Sequence, residues 1–187
     1  MQFAVFLSLN KKNSMDTITN IMTRRSIRKF TEQPVEPEKI KILLEAAMNA
    51  PSAGDGRPWE FVVVTEKTSL HQIAEKVDGG NDMFRQAGAA ILVCAVPSKE
   101  KFPGFYPQDC SCAAQNIYLA AHELGLGSVW IAVWSVPPRI AGLREILHIP
   151  EYLEPFAIFP IGYPGESLPA EYRYDEALVH YEKVERK

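Results

Sequence analysis

A chain of 187 residues, 47% hydrophobic and 23% charged, is long enough for one domain with a sizeable core, and its composition excludes a disordered or membrane-embedded polymer. The formal net charge of -3 leaves no broad basic footprint, which argues against sequence-independent binding of DNA or RNA. Cys94, Cys110 and Cys112 make a poor disulfide framework that suits a reducing, cytoplasmic setting, and Cys110-Ser-Cys112 lacks the Cys-x-x-Cys spacing of zinc and redox sites.

The first fourteen residues carry an apolar run from Phe3 to Leu9 followed by Lys11 and Lys12, the reverse of a secretory charge order. Residues 1–14 therefore read as an extension and 15–187 as a single domain, with Met15 as an alternative beginning. Asp16 can cap a helix that carries Ile18, Ile21 and Met22 on one face. Next comes TRRSIRKF, from Thr23 to Phe30, with Arg24, Ser26 and Arg28 two residues apart. An extended stretch points alternate side chains to one side, so two guanidiniums and a hydroxyl can converge on one oxyanion. The guanidinium fork matches phosphate through paired charge-assisted hydrogen bonds. A solvated basic turn is the other reading of the same charges.

Pro37 suits a first helical turn, and Ile40, Leu43, Leu44, Ala47 and Met48 follow at helical spacing up to Pro51. Phe61 to Thr65 reads as a strand, and Leu70, Ile73, Ala74 and Val77 predict a helix ending at the loop from Asp78. Ala89 to Val96 is continuously apolar, which predicts a central strand buried on both faces. The alanine-rich segment from Asp109 to Leu124 predicts a nearly fully buried helix closed by Gly125. Ser128 to Trp134 and Pro155 to Ile161 read as strands, with a short helix from Pro138 to Leu147 between them. The last twenty residues are polar and aromatic, and such a tail frays unless a partner subunit supplies a surface.

Four ordered segments, TRRSIRKF, APSAGDGRPWEFVVV, AAQNIYLAAHELGLGSVWIAV and PIGYPGE with Arg173 and VHYEK, resemble the nitroreductase family of flavin mononucleotide (FMN) enzymes from about Met15 to Lys187. The resemblance implies an α+β fold with a mixed central sheet flanked by helices. It also implies an intertwined homodimer whose C-terminal arm crosses to the partner subunit, with flavin in the clefts between subunits. Arg24, Ser26 and Arg28, with Arg25 adjacent, match the family's phosphate-binding positions, and Arg173 matches a basic residue that returns to the same phosphate. Pro51, Ser52 and Ala53 resemble the segment lining the flavin from the neighbouring chain, and Trp130, Ile131 and Ala132 match the strand end near its reactive edge. Two departures stand beside them: Asp55 and Arg57 replace the usual asparagine and glutamine and can pair with each other, and Glu171 precedes Arg173 where a second basic residue is sometimes found.

The activity this resemblance implies is ping-pong oxidoreduction: NADH or NADPH reduces the FMN, leaves, and is replaced by a nitroaromatic, quinone or other flat acceptor in the same cleft. No Gly-x-Gly-x-x-Gly fingerprint offers the nicotinamide a separate site. His122 and His180 lack the setting of a general base, Ser26 lacks a nucleophile elbow, and Trp59 and Trp134 read as packing residues. Two alternatives remain at this level. One is a flavin-binding or storage protein with little turnover. The other is a flavin-cleaving or dehalogenating relative that closes a lid over the ring, for which only the short loops Asp78 to Phe84 and Glu100 to Tyr106 are available.

Overall fold

The computed structural model describes residues 15–77 and 82–184. The extension 1–14 and the first part of the Asp78 to Phe84 loop lie outside the described residues.

Helix α1 (Thr17–Thr23) starts where Asp16 accepts the Thr19 N–H at 3.0 Å, as a capping aspartate should. Its apolar face is unburied: Ile18 is 67% exposed, with Ile21 and Met22 close behind. Helix α2 (Pro37–Met48) opens on proline and buries Ile40, Leu43 and Ala47 of the predicted stripe, with Leu44 partly buried and Met48 exposed. Strand β1 (Trp59–Val64), helix α3 (Lys67–Val77) and a short helix α4 (Met83–Gln86) lead into β2 (Ala89–Ala95), every residue of which is buried. Helix α5 (Tyr106–Glu123) spans 18 residues, and β3 (Gly127–Ser128), β4 (Ile131–Ala132), α6 (Pro137–Leu147) and β5 (Glu154–Gly162) complete the domain.

The sheet runs β1-β2-β5-β3, with β4 also on β5. Because side chains alternate across a strand, β2 feeds two cores. Ala89, Ile91, Val93 and Ala95 pack with Leu43, Ala47, Ala113 and Ile117 of α2 and α5. Ala90, Leu92 and Cys94 face Leu70, Ile73, Phe84 and Leu143 of α3, α4 and α6. The result is an α+β domain with helices on both faces of a central sheet. No helix among the described residues is long and apolar enough to cross a membrane.

Four expectations need correction. Every described strand pairing is antiparallel, where the resemblance implied a mixed sheet. The reason is that β5 returns between β2 and the β3/β4 pair, so strands running the same way never become neighbours within the chain. The strand predicted over Ser128 to Trp134 is two short pieces on β5, with Val129 and Trp130 between them. Helix α5 is buried along one flank, through Cys110, Ala113, Ala114, Ile117, Tyr118 and Ala121, with Gln108 and Gln115 exposed. Met83 and Phe84, assigned to a loop by sequence, begin α4 and are buried.

Candidate functional site

The basic segment is held extended by its neighbours. Ile27 N–H donates to Ser128 O at 2.9 Å, Gly165 N–H to Lys29 O at 2.8 Å, and Thr31 N–H to Tyr163 O at 2.9 Å. Gly127 permits the approach, since a Cβ there would lie 2.6 Å from Ile27 Cγ2. Alternation then sorts the side chains. Arg24 lies with its guanidinium carbon 4.0 Å from the Tyr118 ring centroid, and the Ser26 and Tyr118 hydroxyls share a hydrogen bond at 2.6 Å. Arg25 turns the other way and donates to Glu171, whose second oxygen accepts from Arg173 Nε and Nη2 at 3.1 and 2.9 Å. Arg28 is exposed, and its backbone N–H and that of Lys29 donate to Glu166 at 2.7 and 3.1 Å.

The structure therefore brings Arg24 and Ser26 together on Tyr118, and Arg25 together with Arg173 from the far end of the chain. Arg28 joins neither contact. One donor on each of two cations has no hydrogen-bond partner among the described residues: Arg24 Nη1 and Arg25 Nε are buried and unpaired, as is the Ser128 hydroxyl. A buried charged donor left unpaired is costly, so each of these donors is suited to an anionic acceptor. The same cations act on their neighbours. Glu171 is pushed down to about 2 by hydrogen bonds from Arg25 and then Arg173. His122, 3.0 Å from the Thr23 hydroxyl, is held below the usual imidazole value by burial and then by Arg24.

The second predicted segment is a tight loop. Gly54, Asp55 and Arg57 all take left-handed backbone conformations, with φ of 57°, 56° and 47°. For the two non-glycine residues this is an uncommon geometry of the kind that collects at functional sites. Ser52 Oγ accepts the Arg57 N–H at 2.9 Å, and Asp109 Oδ1 accepts the Ala53 N–H at 2.8 Å. Asp55 and Arg57 pair through two hydrogen bonds of 2.6 and 3.0 Å, which lowers the Asp55 pKa. Pro51 is exposed at the entrance to this loop. A cavity of about 480 Å³ opens beside it, lined by Leu44, Met48, Arg57, Trp59, Glu60 and Phe61.

The third segment lies on β5. Trp130 packs edge-on against Phe156 and Phe159 at 6.2 and 5.3 Å, while Ile131 and Ala132 pair with Ile158 and Ala157. Since Tyr118 also packs on Phe159 at 6.0 Å, an aromatic chain links Arg24 to Trp130. The Pro51 to Arg57 loop is not part of it. That loop is tied to Asp109, nine residues before Tyr118 on α5, so the two groups stand roughly 14 Å apart along the helix axis.

Trp59 is buried as a packing residue, but Trp134 is 42% exposed and donates to the Tyr106 hydroxyl at 3.1 Å. The Glu100 to Tyr106 loop is closed on itself, with Glu100 accepting the N–H groups of Gly104, Phe105 and Tyr106 at 3.1 Å each. Tyr118, Ser128 and Asp109 were missed by sequence reasoning. A tyrosine inside an alanine-rich stretch, four residues before His122, was the one available signal for the first.

The nitroreductase family model matches residues 21–77 and 66–163. A protein of Methanothermobacter thermautotrophicus named "Putative NADH dehydrogenase/NAD(P)H nitroreductase" is 46% identical over 92% of this chain and 90% of its own. A protein of the same name from Archaeoglobus fulgidus is 42% identical over 87% and 95%. Among solved structures, an FMN-dependent nitroreductase from Clostridium difficile superposes with a TM-score of 0.82 at 35% identity, covering 90% of this chain and all of that one. The chain belongs to the nitroreductase family.

Proposed function

We propose that this nitroreductase-family chain is an FMN-dependent oxidoreductase that draws on NADH or NADPH and reduces flat acceptors such as nitroaromatics and quinones. The observation that carries the reading is the pair of buried, unpartnered donors on Arg24 and Arg25, beside Ser26 and within reach of Arg173 through Glu171. This donor set fits a phosphate monoester: several cationic forks and a hydroxyl, with the half-exposed Glu171 carboxylate on two of the forks. Arg24, Arg25, Ser26, Arg28 and Arg173 would hold the phosphate. When bound, FMN supplies the redox chemistry, taking a hydride from the nicotinamide and passing electrons to the acceptor in ping-pong order.

The remaining work of the protein is placement. Trp130, Ile131 and Ala132 would present backbone at the ring's edge, on a strand fixed to β5 at both residues that pair. Pro51, Ser52 and Ala53 would line the ring of the partner's flavin, and their distance along α5 from the Arg24 cluster suits that division. A homodimer is further supported by surfaces that the chain alone leaves bare. These are the apolar face of α1, the edge strand β1, and a tail in which Tyr172, Leu178 and Tyr181 are largely exposed. Asp55 and Arg57 neutralise each other, so this pair adds little net charge near the ring.

The test is to purify the protein, release its chromophore by heat, identify it by mass, and titrate the holoprotein anaerobically with each nicotinamide. FMN, bleaching with NADH or NADPH and yellow colour returning with a quinone, is the expected result. Colour that never bleaches would favour flavin storage. A colourless protein that takes up no added FMN would end the proposal.

A further inference from the structure

Glu171 is the one acidic side chain seated in the Arg25 and Arg173 cluster. One carboxylate oxygen takes the Arg25 donor, and the other takes both donors of the Arg173 fork. The two arginines lie at opposite ends of the sequence, so this carboxylate is what joins them. Its charge does not satisfy the cluster, because Arg24 Nη1 and Arg25 Nε remain buried and unpartnered. Two guanidiniums, those of Arg25 and Arg173, meet one carboxylate, an excess of positive charge that a dianion with three oxygens would meet better.

Among the described residues, Glu171 is held by these two arginines alone. Its side chain is 53% exposed, and residues 167–184 around it are all exposed, with one short turn at Glu176–Leu178 as their regular structure. Glu166, by contrast, is tied to the backbone N–H groups of Arg28 and Lys29. Release of Glu171 would therefore free only the chain beyond residue 166.

We propose that Glu171 is an internal counter-anion: it occupies the arginine clamp when no ligand phosphate is present and is displaced by the phosphate of the incoming flavin. This rests on the reading of the cluster as the FMN phosphate site and adds to it a role for this chain's own carboxylate. Binding of a phosphorylated flavin then includes breaking the Arg25–Glu171–Arg173 bridge. Riboflavin, which has no phosphate, leaves the bridge standing. Glu171 thus sets the margin by which FMN is preferred over riboflavin and keeps the arm parked on the domain in flavin-free protein.

The experiment uses full-length, flavin-stripped protein and its Glu171→Gln variant, which keeps the side-chain length and removes the charge. FMN and riboflavin are titrated by flavin fluorescence, and inorganic phosphate by phosphorus NMR. FMN and inorganic phosphate should both bind about threefold or more tightly to the variant, the scale of an exposed ion-pair network, while riboflavin affinity stays the same. Unchanged or weaker binding of FMN and phosphate would overturn the proposal, the weaker case making Glu171 a positioning residue for Arg173. If neither protein takes up flavin but phosphate still binds the variant more tightly, the cofactor reading fails and the counter-anion role stands. If phosphate affinity does not rise, the role fails whatever the flavins do.

Discussion

Arg24 is placed by the ring of Tyr118 beneath it, and its Nη1 is buried with no acceptor among the described residues. A hydrogen bond between charged partners contributes about 1.5–3 kcal/mol, so Arg24→Ala should weaken FMN binding by roughly tenfold or more while the protein stays folded. Equilibrium titration of stripped protein measures this, and full flavin occupancy in the variant would remove Arg24 from the site. His122 reports on the same spot through pH. Its imidazole titrates below the ordinary value of 6.5 because it is part-buried and faces Arg24. The unfolded chain therefore takes up a proton first as pH falls, and the contribution to stability is complete above about pH 6.5 and lost as pH drops through the lower folded value. Flavin-free protein should lose thermal stability as pH falls below about 6.5, and His122→Gln should flatten that slope. Glu171 does not confuse the measurement. Held at about 2 against an ordinary 4.5, its contribution is present above the ordinary value and lost only as pH falls toward 2. An identical slope in the variant would show that His122 carries none of the effect.

At the scale of elements, the strands and helices that bury a clear stripe were legible. The unbroken apolar run of β2 and the 3-4 spacing of α3 each admit one burial pattern, and the structure shows it, while the stripe of α2 holds through Ala47 and leaves Met48 exposed. The sheet order and the split of Ser128 to Trp134 were not, because both depend on β5 arriving from far along the chain. The site divides the same way. The residues of TRRSIRKF could be named from the sequence, but their sorting onto Tyr118 and Glu171 depends on which side of the extended segment faces α5. Gly127 controls that facing. A Cβ at this position collides with Ile27 on β-branched carbon 2.9 Å away, so Gly127→Ala should cost about 1–3 kcal/mol by overpacking and loosen the segment. Urea unfolding and FMN affinity should both fall, and Ile27→Ala in the same chain should restore part of the affinity by making room. Failure of the second substitution to recover any affinity would show that Ile27 is not the obstacle.

The whole molecule combines a well-packed domain with surfaces suited to something beyond itself. Two cores lie on the faces of the sheet, and the stretch from 167 to 184 adds almost nothing to either, being exposed at every residue. Yet that stretch carries Tyr172, Tyr174, Leu178, Tyr181 and Val184, apolar area that is unfavourable to leave in water. It also carries Arg173, the cation that reaches the Arg25 cluster through Glu171. Ending the chain at residue 167 should therefore separate two quantities that usually move together. Thermal stability of the flavin-free domain should change little, because no core contact is removed. The proposed dimer should be lost through missing partner-facing area, and the affinity for FMN should fall through the missing Arg173 cation, by less than removal of Arg173 alone would give because Glu171 leaves with it. Sedimentation and flavin absorbance of the truncated protein test this directly. A truncated protein that remains a flavin-loaded dimer would mean that α1 and the edge of β1 hold the subunits together without the arm, and that Arg24 and Arg25 suffice for the phosphate.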